Sequence, residues 1–321
     1  MRPGLTGSAP ASRARSITSA READSGEKAL ATMPRPFASK FGRLVCLLLT
    51  FAGSVAAAAE PDDLDTQLML ATVKVSDSDA SGSAFVLARP KPGDPKSTQF
   101  LLVTAEHTLS RTKGNEVTVV FRKKAADGSF QKAPLKIQIR HDAQPLWKKH
   151  PAADVSVLPI TPAPDLVLPA VSVDLLASDE SLEKYEIHPG DLVRCIGFPH
   201  PNQFEPSEAG FGVVRSGCIA GYPLRPTRST KTCLLNLNTF EGDSGAPVYL
   251  VDNYRLIAGK TEPTRVRLIL GLIVGQHFLD EEFKMTYQTG KFRHRMGFGI
   301  AVHATAIKET IDLVDQKPAG G

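Results

Sequence analysis

Asn238-Thr239-Phe240-Glu241-Gly242-Asp243-Ser244-Gly245-Ala246-Pro247-Val248 is the stretch on which the reading of this chain turns. It sets a serine between two glycines on a turn and then runs into an apolar strand. Glycine lets a backbone approach a neighbouring carbonyl closely and adopt conformations closed to other residues. That suits a hydrolase presenting a nucleophile, although Gly-Asp-Ser-Gly alone is also ordinary turn chemistry. A serine hydroxyl needs a base, and the base works best when an acid orients it. Two upstream blocks offer both. Phe100-Leu101-Leu102-Val103-Thr104-Ala105-Glu106-His107-Thr108-Leu109 is an apolar strand ending in a histidine. Ala153-Asp154-Val155-Ser156-Val157-Leu158-Pro159 is a β-branched strand opened by an aspartate.

The order His107, Asp154, Ser244 resembles that of the trypsin-like (chymotrypsin-fold) serine proteases, with intervals of 47 and 90 residues close to those usual there. That family has a Thr-Ala-x-His block, an Asp-hydrophobic-Ala/Ser-hydrophobic-Leu block and Gly-Asp-Ser-Gly, in this order. An α/β-hydrolase would place serine first and histidine last, and would carry a fifth-position glycine where Ala246 stands. The resemblance extends through Gly190-Asp191-Leu192-Val193-Arg194-Cys195-Ile196-Gly197-Phe198-Pro199 and Gly212-Val213-Val214-Arg215-Ser216-Gly217-Cys218-Ile219-Ala220. Together with Gly297-Phe298-Gly299-Ile300-Ala301-Val302 these are closest in style to bacterial Deg-type protease domains without a C-terminal peptide-binding domain. It covers roughly residues 66–315.

The resemblance implies an all-β fold of two packed six-stranded Greek-key barrels with a C-terminal helix, and a secreted or periplasmic serine endopeptidase. By family position His107 is the general base, Asp154 its orienting acid and Ser244 the nucleophile. The backbone N–H groups of Gly242 and Ser244 form the oxyanion hole. Asn238 and Thr239 line the specificity pocket, with Val274, Gly275 and Gln276 as its wall. Asn238 stands where trypsin proper has a carboxylate, which implies a preference for uncharged P1 side chains. No cofactor is implied; the expected partners are protein or peptide substrates, with no nucleic acid and no stable membrane insertion after processing. Two departures favour a second reading, a catalytically weak binding or chaperone-like protein on the same fold. Glu106 replaces a small residue before the histidine, and Asp243 stands where Deg-type members usually carry asparagine. A third reading is an esterase or transferase using the same acyl-enzyme. A buried, unpaired carboxylate is costly, so Asp243 requires a basic partner or solvent.

Residues 1–32 are rich in Ser, Ala and Arg without apolar periodicity and read as a disordered leader or a mis-assigned start. From Met33, a basic segment with Arg35, Lys40 and Arg43 precedes the apolar run 44–59, which ends in four alanines. Residues 33–59 read as a secretory signal peptide, and sixteen apolar residues is short for a membrane span. The formal charge is +4 for the whole chain and +5 for residues 1–59, so the remainder carries −1. The basic balance therefore belongs to the leader and argues for neither nucleic acid nor membrane as partner.

Short apolar strands separated by turn clusters define an N-terminal barrel over 66–165, a connector over 166–190 and a C-terminal barrel with its helix over 191–315. The acidic run 61–65 reads as a solvated tail. Cys218 and Cys233 flank a turn-rich segment and are the favoured disulfide pair; Cys195–Cys218, or three free thiols, remain open. The sequence holds no His-Glu-x-x-His, paired Cys-x-x-Cys or phosphate-cradling glycine loop.

Overall fold

The structure is a computed structural model that describes residues 63–316 apart from 79 and 202. The leader and the signal-peptide segment lie outside the described residues. A short helix α1 (Leu64–Ala71) comes first, capped by Asp63, whose carboxylate accepts from the Thr66 N–H at 2.8 Å. Leu64 and Leu68, one turn apart, bury themselves in the core. The acidic run expected to be a solvated tail thus supplies a helix cap instead.

Strands β1 (Thr72–Ser76), β2 (Ser81–Lys91) and β3 (Asp94–Thr104) follow as an antiparallel meander. After helix α2 (Glu106–Ser110) come β4 (Glu116–Lys124), β5 (Phe130–Gln138), the short β6 (Arg140–His141), β7 (Gln144–Pro145) and β8 (Lys148–Lys149), then β9 (Ser156–Ile160). They form a seven-stranded sheet in the order β5-β4-β1-β2-β3-β9-β8, with β6 and β7 as a separate pair. The all-β fold with a C-terminal helix is as expected; within it the first half is a seven-stranded sheet whose edge strands do not meet, since β5 pairs only with β4 and β8 only with β9. Both faces of the central strands are covered. Phe85, Leu87, Leu101 and Val103 enter one core, while Ala84, Val86 and Leu102 enter another. That is why β2 reads as a nearly continuous apolar run rather than an alternating one.

Helix α3 (Asp179–Lys184) leads to the second half: β10 (Leu192–Gly197), β11 (Val213–Ile219), a short helix α4 (Thr227–Thr230), β12 (Thr232–Asn236), β13 (Pro247–Arg255), β14 (Thr264–Met285) and β15 (Gln288–His303). These six strands close a barrel in the order β10-β11-β12-β15-β14-β13. Leu235, Val248, Ile269 and Ile273 join Phe85 and Leu101 in the same core, so one apolar interior spans the sheet and the barrel. Helix α5 (Ala304–Asp315) ends the described chain and buries Ala304, Ile307 and Ile311 along one stripe.

The cysteine pairing is a second correction. All three are free thiols. Cys218 lies opposite Asn236 across β11 and β12, three positions from Cys233, and opposite Leu192 across β10 and β11, three positions from Cys195. Three residues of strand is roughly 10 Å, beyond the Cα separation a disulfide spans.

Arg122 is 1% exposed and has no carboxylate partner among the described residues. Its guanidinium donates to the carbonyls of Leu70, Thr72 and Gly210 and stacks on Phe211 at 4.8 Å. Burial pushes its pKa down to about 10. It thereby satisfies carbonyls at the end of α1 that have no helical donor.

Candidate active site

Pairing between β3 and β9 sets the first half of the site. Thr104 lies opposite Ser156, so residues just past the end of β3 meet residues just before the start of β9. His107 and Asp154 occupy those positions. The His107 Nδ1 and the Asp154 Oδ2 are 2.5 Å apart, and the His107 backbone N–H donates to Oδ1 at 2.9 Å. One carboxylate thus fixes both the ring and its backbone. Burial alone would raise the Asp154 pKa, but the bonds from the His107 ring and from the His107 and Glu106 backbone hold it below the ordinary carboxylate value. Donation from Nδ1 leaves Nε2 as the acceptor nitrogen. His107 and Asp154 both line a cleft of about 670 Å³.

The second half hangs on close backbone contacts. Gly245 has φ +90°, and a Cβ there would sit 2.0 Å from the Ser83 carbonyl oxygen and 2.3 Å from the Thr104 hydroxyl. Only glycine fits, and it seats the Ser244 turn against the ends of β2 and β3. The Ser83 N–H donates to the Ser244 carbonyl at 2.9 Å, and the Gly245 N–H to the Ile273 carbonyl at 2.7 Å. Ser244, half-buried, lines the same cleft as His107.

Phe240 to Asp243 form a turn closed by the Asp243 N–H on the Phe240 carbonyl at 3.1 Å. Gly242, third in that turn, has φ +96°, the signature of a type II turn. The orientation of its leading peptide is fixed from outside: the Glu241 carbonyl accepts from the His200 N–H at 2.7 Å. In a trans peptide N–H and C=O point opposite ways, so the Gly242 N–H faces away from His200. Neither the Gly242 nor the Ser244 N–H donates to another group among the described residues. The Gly242 carbonyl accepts from the Ser83 hydroxyl at 2.8 Å, and that hydroxyl accepts from the Phe198 N–H at 3.1 Å.

Asp243 is fully buried and has the basic partner its burial requires. Arg215 on β11 binds both carboxylate oxygens at 2.5 Å, and the Phe240 N–H adds a third bond at 2.7 Å. Burial lowers the Arg215 pKa, but Asp243 and the nearby Cys195 outweigh it and the net shift is upward. Burial pushes the Cys195 thiol up to about 12, so it stays a thiol. Glu106, the other departure, lies half-exposed in the first turn of α2, and its carboxylate accepts from the Ser110 hydroxyl at 3.2 Å.

Of the expected pocket residues, Thr239, Val274, Gly275 and Gln276 line the cleft beside Phe240 and Phe278. The Thr239 hydroxyl reaches the Gly275 carbonyl at 3.4 Å and ties the two walls. Asn238 does not line it, which corrects the expected pocket floor. Strand alternation turns Leu235 and Leu237 inward and leaves Asn236 and Asn238 outward and exposed. Sequence reasoning also missed Ser83, His200 and Arg215 as supports of the turn. Arg215 carried a signal, an arginine on β11 while Asp243 still lacked a partner.

No family model matches this chain, and no curated protein matches it. Among solved structures, it is similar to Rv3671c of M. tuberculosis H37Rv in the inactive form of a serine-to-alanine mutant. The TM-score is 0.41 at 15% identity, covering 79% of this chain and 92% of that one. A second structure, the inactive form of Rv3671c protease, gives 0.41 at 16% identity, with 78% and 92% covered. Among the described residues no group of three or more His, Cys, Asp or Glu side chains is placed to hold a metal ion.

Proposed function

We propose that this protein is a trypsin-like serine endopeptidase, acting through Ser244, His107 and Asp154. The observation that carries the reading is the doubly bonded His107–Asp154 pair, in one cleft with Ser244 and the two uncommitted N–H groups of its turn. Ser244 Oγ attacks the scissile carbonyl carbon while its proton passes to His107 Nε2. The carbonyl oxygen takes up negative charge and is met by the N–H groups of Gly242 and Ser244, each worth roughly 3–4 kcal/mol in such a site. Asp154 stabilises the imidazolium. Collapse breaks the C–N bond, His107 returns its proton to the leaving amine, and water hydrolyses the acyl-enzyme by the same steps. The two departures that favoured a mere binding protein lose their force. Asp243 is paired, and Glu106 is a solvated side chain bonded to Ser110. The test is labelling by a fluorophosphonate probe: wild type is expected to react at Ser244, and an unlabelled, folded wild type would refute the reading.

An uncharged P1 side chain is expected to be preferred. The wall residues Thr239, Val274, Gly275 and Gln276 carry no charge, and burying a cation against them is expensive; Glu241 and Asp77, which line the same cleft, are the carboxylates a cationic side chain would have to reach. A cleavage profile over a peptide library checks this; strong selection for Arg or Lys would contradict it.

We also place the mature protein outside the cytoplasm, periplasmic or secreted, on the strength of the signal-like segment 33–59. Among the described residues no helix is long and apolar enough to cross a membrane. N-terminal sequencing of exported material is expected to read from between Ala57 and Glu60, and a product retaining Met33 would contradict it.

A further inference from the structure

The β14–β15 hairpin outruns its barrel. β13 accompanies β14 only to Leu272, and Ile273 is bonded by Gly245 and Ala246. β12 accompanies β15 only over Phe298–Val302. From Phe278 opposite Arg295 to Met285 opposite Gln288 the hairpin therefore pairs only with itself among the described residues. That free arm is roughly 25 Å long at 3.4 Å per residue.

Its two faces differ. One carries Phe278, Asp280 and Glu282 against Arg293 and Lys291. It is laced by Arg293–Asp280 at 2.7 Å and Lys291–Glu282 at 2.6 Å, with Arg293 over the Phe278 ring at 5.1 Å. The other carries Leu279, Phe283 and Met285 with Phe292, crossed by the Glu281–His294 pair at 3.0 Å, and Phe283 and Phe292 stack at 4.9 Å. Gly290, opposite Phe283, leaves the ring its room: a Cβ there would lie 2.3 Å away. Leu279, Met285 and Phe292 are each more than half exposed, and Tyr287 at the tip is 95% exposed. A solvated ribbon gains nothing from such a face unless something covers it.

What covers it follows from where the arm begins. Val274, Gly275, Gln276 and Phe278 line the cleft beside Ser244, and the same strand then continues as the arm with its β13-side edge unpaired. An unpaired edge recruits an extended chain by main-chain hydrogen bonds. Antiparallel addition is the more stable mode. It would put the substrate segment N-terminal to the scissile bond along β14, since β14 runs outward from the cleft. Resting on the endopeptidase reading, we propose that the β14–β15 hairpin is a substrate-docking arm. An unfolded polypeptide adds as a strand along β14 from Gln276 toward Met285 and lays apolar side chains on Leu279, Phe283, Met285 and Phe292. The arm thereby selects long, apolar, unfolded segments over short peptides.

The test replaces residues 279–294 by Asn-Gly, a two-residue turn that closes the strands at the Phe278 and Arg295 pair. The point variants Leu279→Ser and Phe292→Ser stand beside it should the shortened arm misfold. Two readouts are taken on proteins with wild-type circular dichroism. One is anisotropy of a labelled twenty-residue peptide with alternating Leu and Thr, bound to full-length protein carrying Ser244→Ala. The other is hydrolysis of a tetrapeptide coumarin amide with Ser244 intact. The shortened arm is expected to weaken peptide binding at least about tenfold, with each point variant weakening it severalfold. kcat/KM for the tetrapeptide should stay within about twofold. Unchanged peptide binding overturns the proposal, as does an equal loss on both readouts. A dimer that disappears with the arm while peptide binding persists also overturns it, in favour of a second copy as occupant. Binding without any hydrolysis by wild type would instead count against the endopeptidase reading and leave the arm standing.

Discussion

Ser244→Ala is expected to lower kcat for peptide hydrolysis by about 10⁶-fold and to abolish labelling by a fluorophosphonate, with the fold intact. A half-exposed turn hydroxyl contributes little to packing, and the turn itself is held by backbone bonds from Ser83 and Gly245 that the substitution leaves in place. His107→Ala should be nearly as damaging, and the double variant little worse than either, because the residues act as one unit. Asp154→Asn should cost less, about 10⁴-fold, since it spoils tautomer and charge but spares nucleophile and oxyanion donors. The same link has a pH signature. The Asp154 carboxyl is held below its ordinary value, so its contribution to stability is complete above the unfolded carboxylate pKa of about 4 and is lost as pH falls through the lower folded value. Kinetics on the four variants, with circular dichroism, decide the matter. Undiminished hydrolysis by folded Ser244→Ala would overturn the assignment.

Arg215→Ala is expected to be the most damaging change away from the three reacting side chains. It strips both guanidinium bonds from a carboxylate that has no access to water. Breaking a buried pair from one side costs roughly 3–5 kcal/mol, about 6–20 °C in Tm for a domain of this size. Asp243 also accepts from the Phe240 N–H, so the turn that aims the Gly242 N–H should loosen and kcat fall about 10²–10³-fold, the worth of one oxyanion donor. Adding Asp243→Asn removes the stranded charge and should restore much of the stability but little of the turnover. Denaturant midpoints and kcat for the single and double variants separate the two effects. A single variant that melts like wild type would show that the pair does not support the turn.

The strands and the meeting of His107, Asp154 and Ser244 in one cleft were legible because they rest on local signals: apolar runs, glycines with forced geometry, and an antiparallel pairing that carries His107 to Asp154. What escaped was set by partners remote in sequence. The Ser83 hydroxyl meets Gly242 across 159 positions and Phe198 across 115, and no pattern within β2 announces either. The arm escaped because its apolar residues alternate with charges that pair across the ribbon, which resembles a polar loop when only one strand is read. The disulfide was misjudged because two cysteines on neighbouring strands are bridgeable only in register, and the ladders set Cys218 opposite Leu192 and Asn236 instead. The open first sheet was invisible for the opposite reason: six strands and seven read alike until their edges are seen to meet or not.

Gly245 marks the seam between the two halves. His107 and Asp154 sit at the ends of strands of the open sheet, whereas Ser244 sits just ahead of β13 in the barrel, and Gly245 is pressed between them with no room for a methyl group. On the proposed mechanism, catalysis becomes a gauge of alignment between two otherwise sound halves. A slip of about 1 Å along that seam can cost a hundredfold in rate while every strand stays paired. Mild denaturant or pressure would silence such an enzyme before it melts, and a partner that merely squeezed the halves together could switch it on.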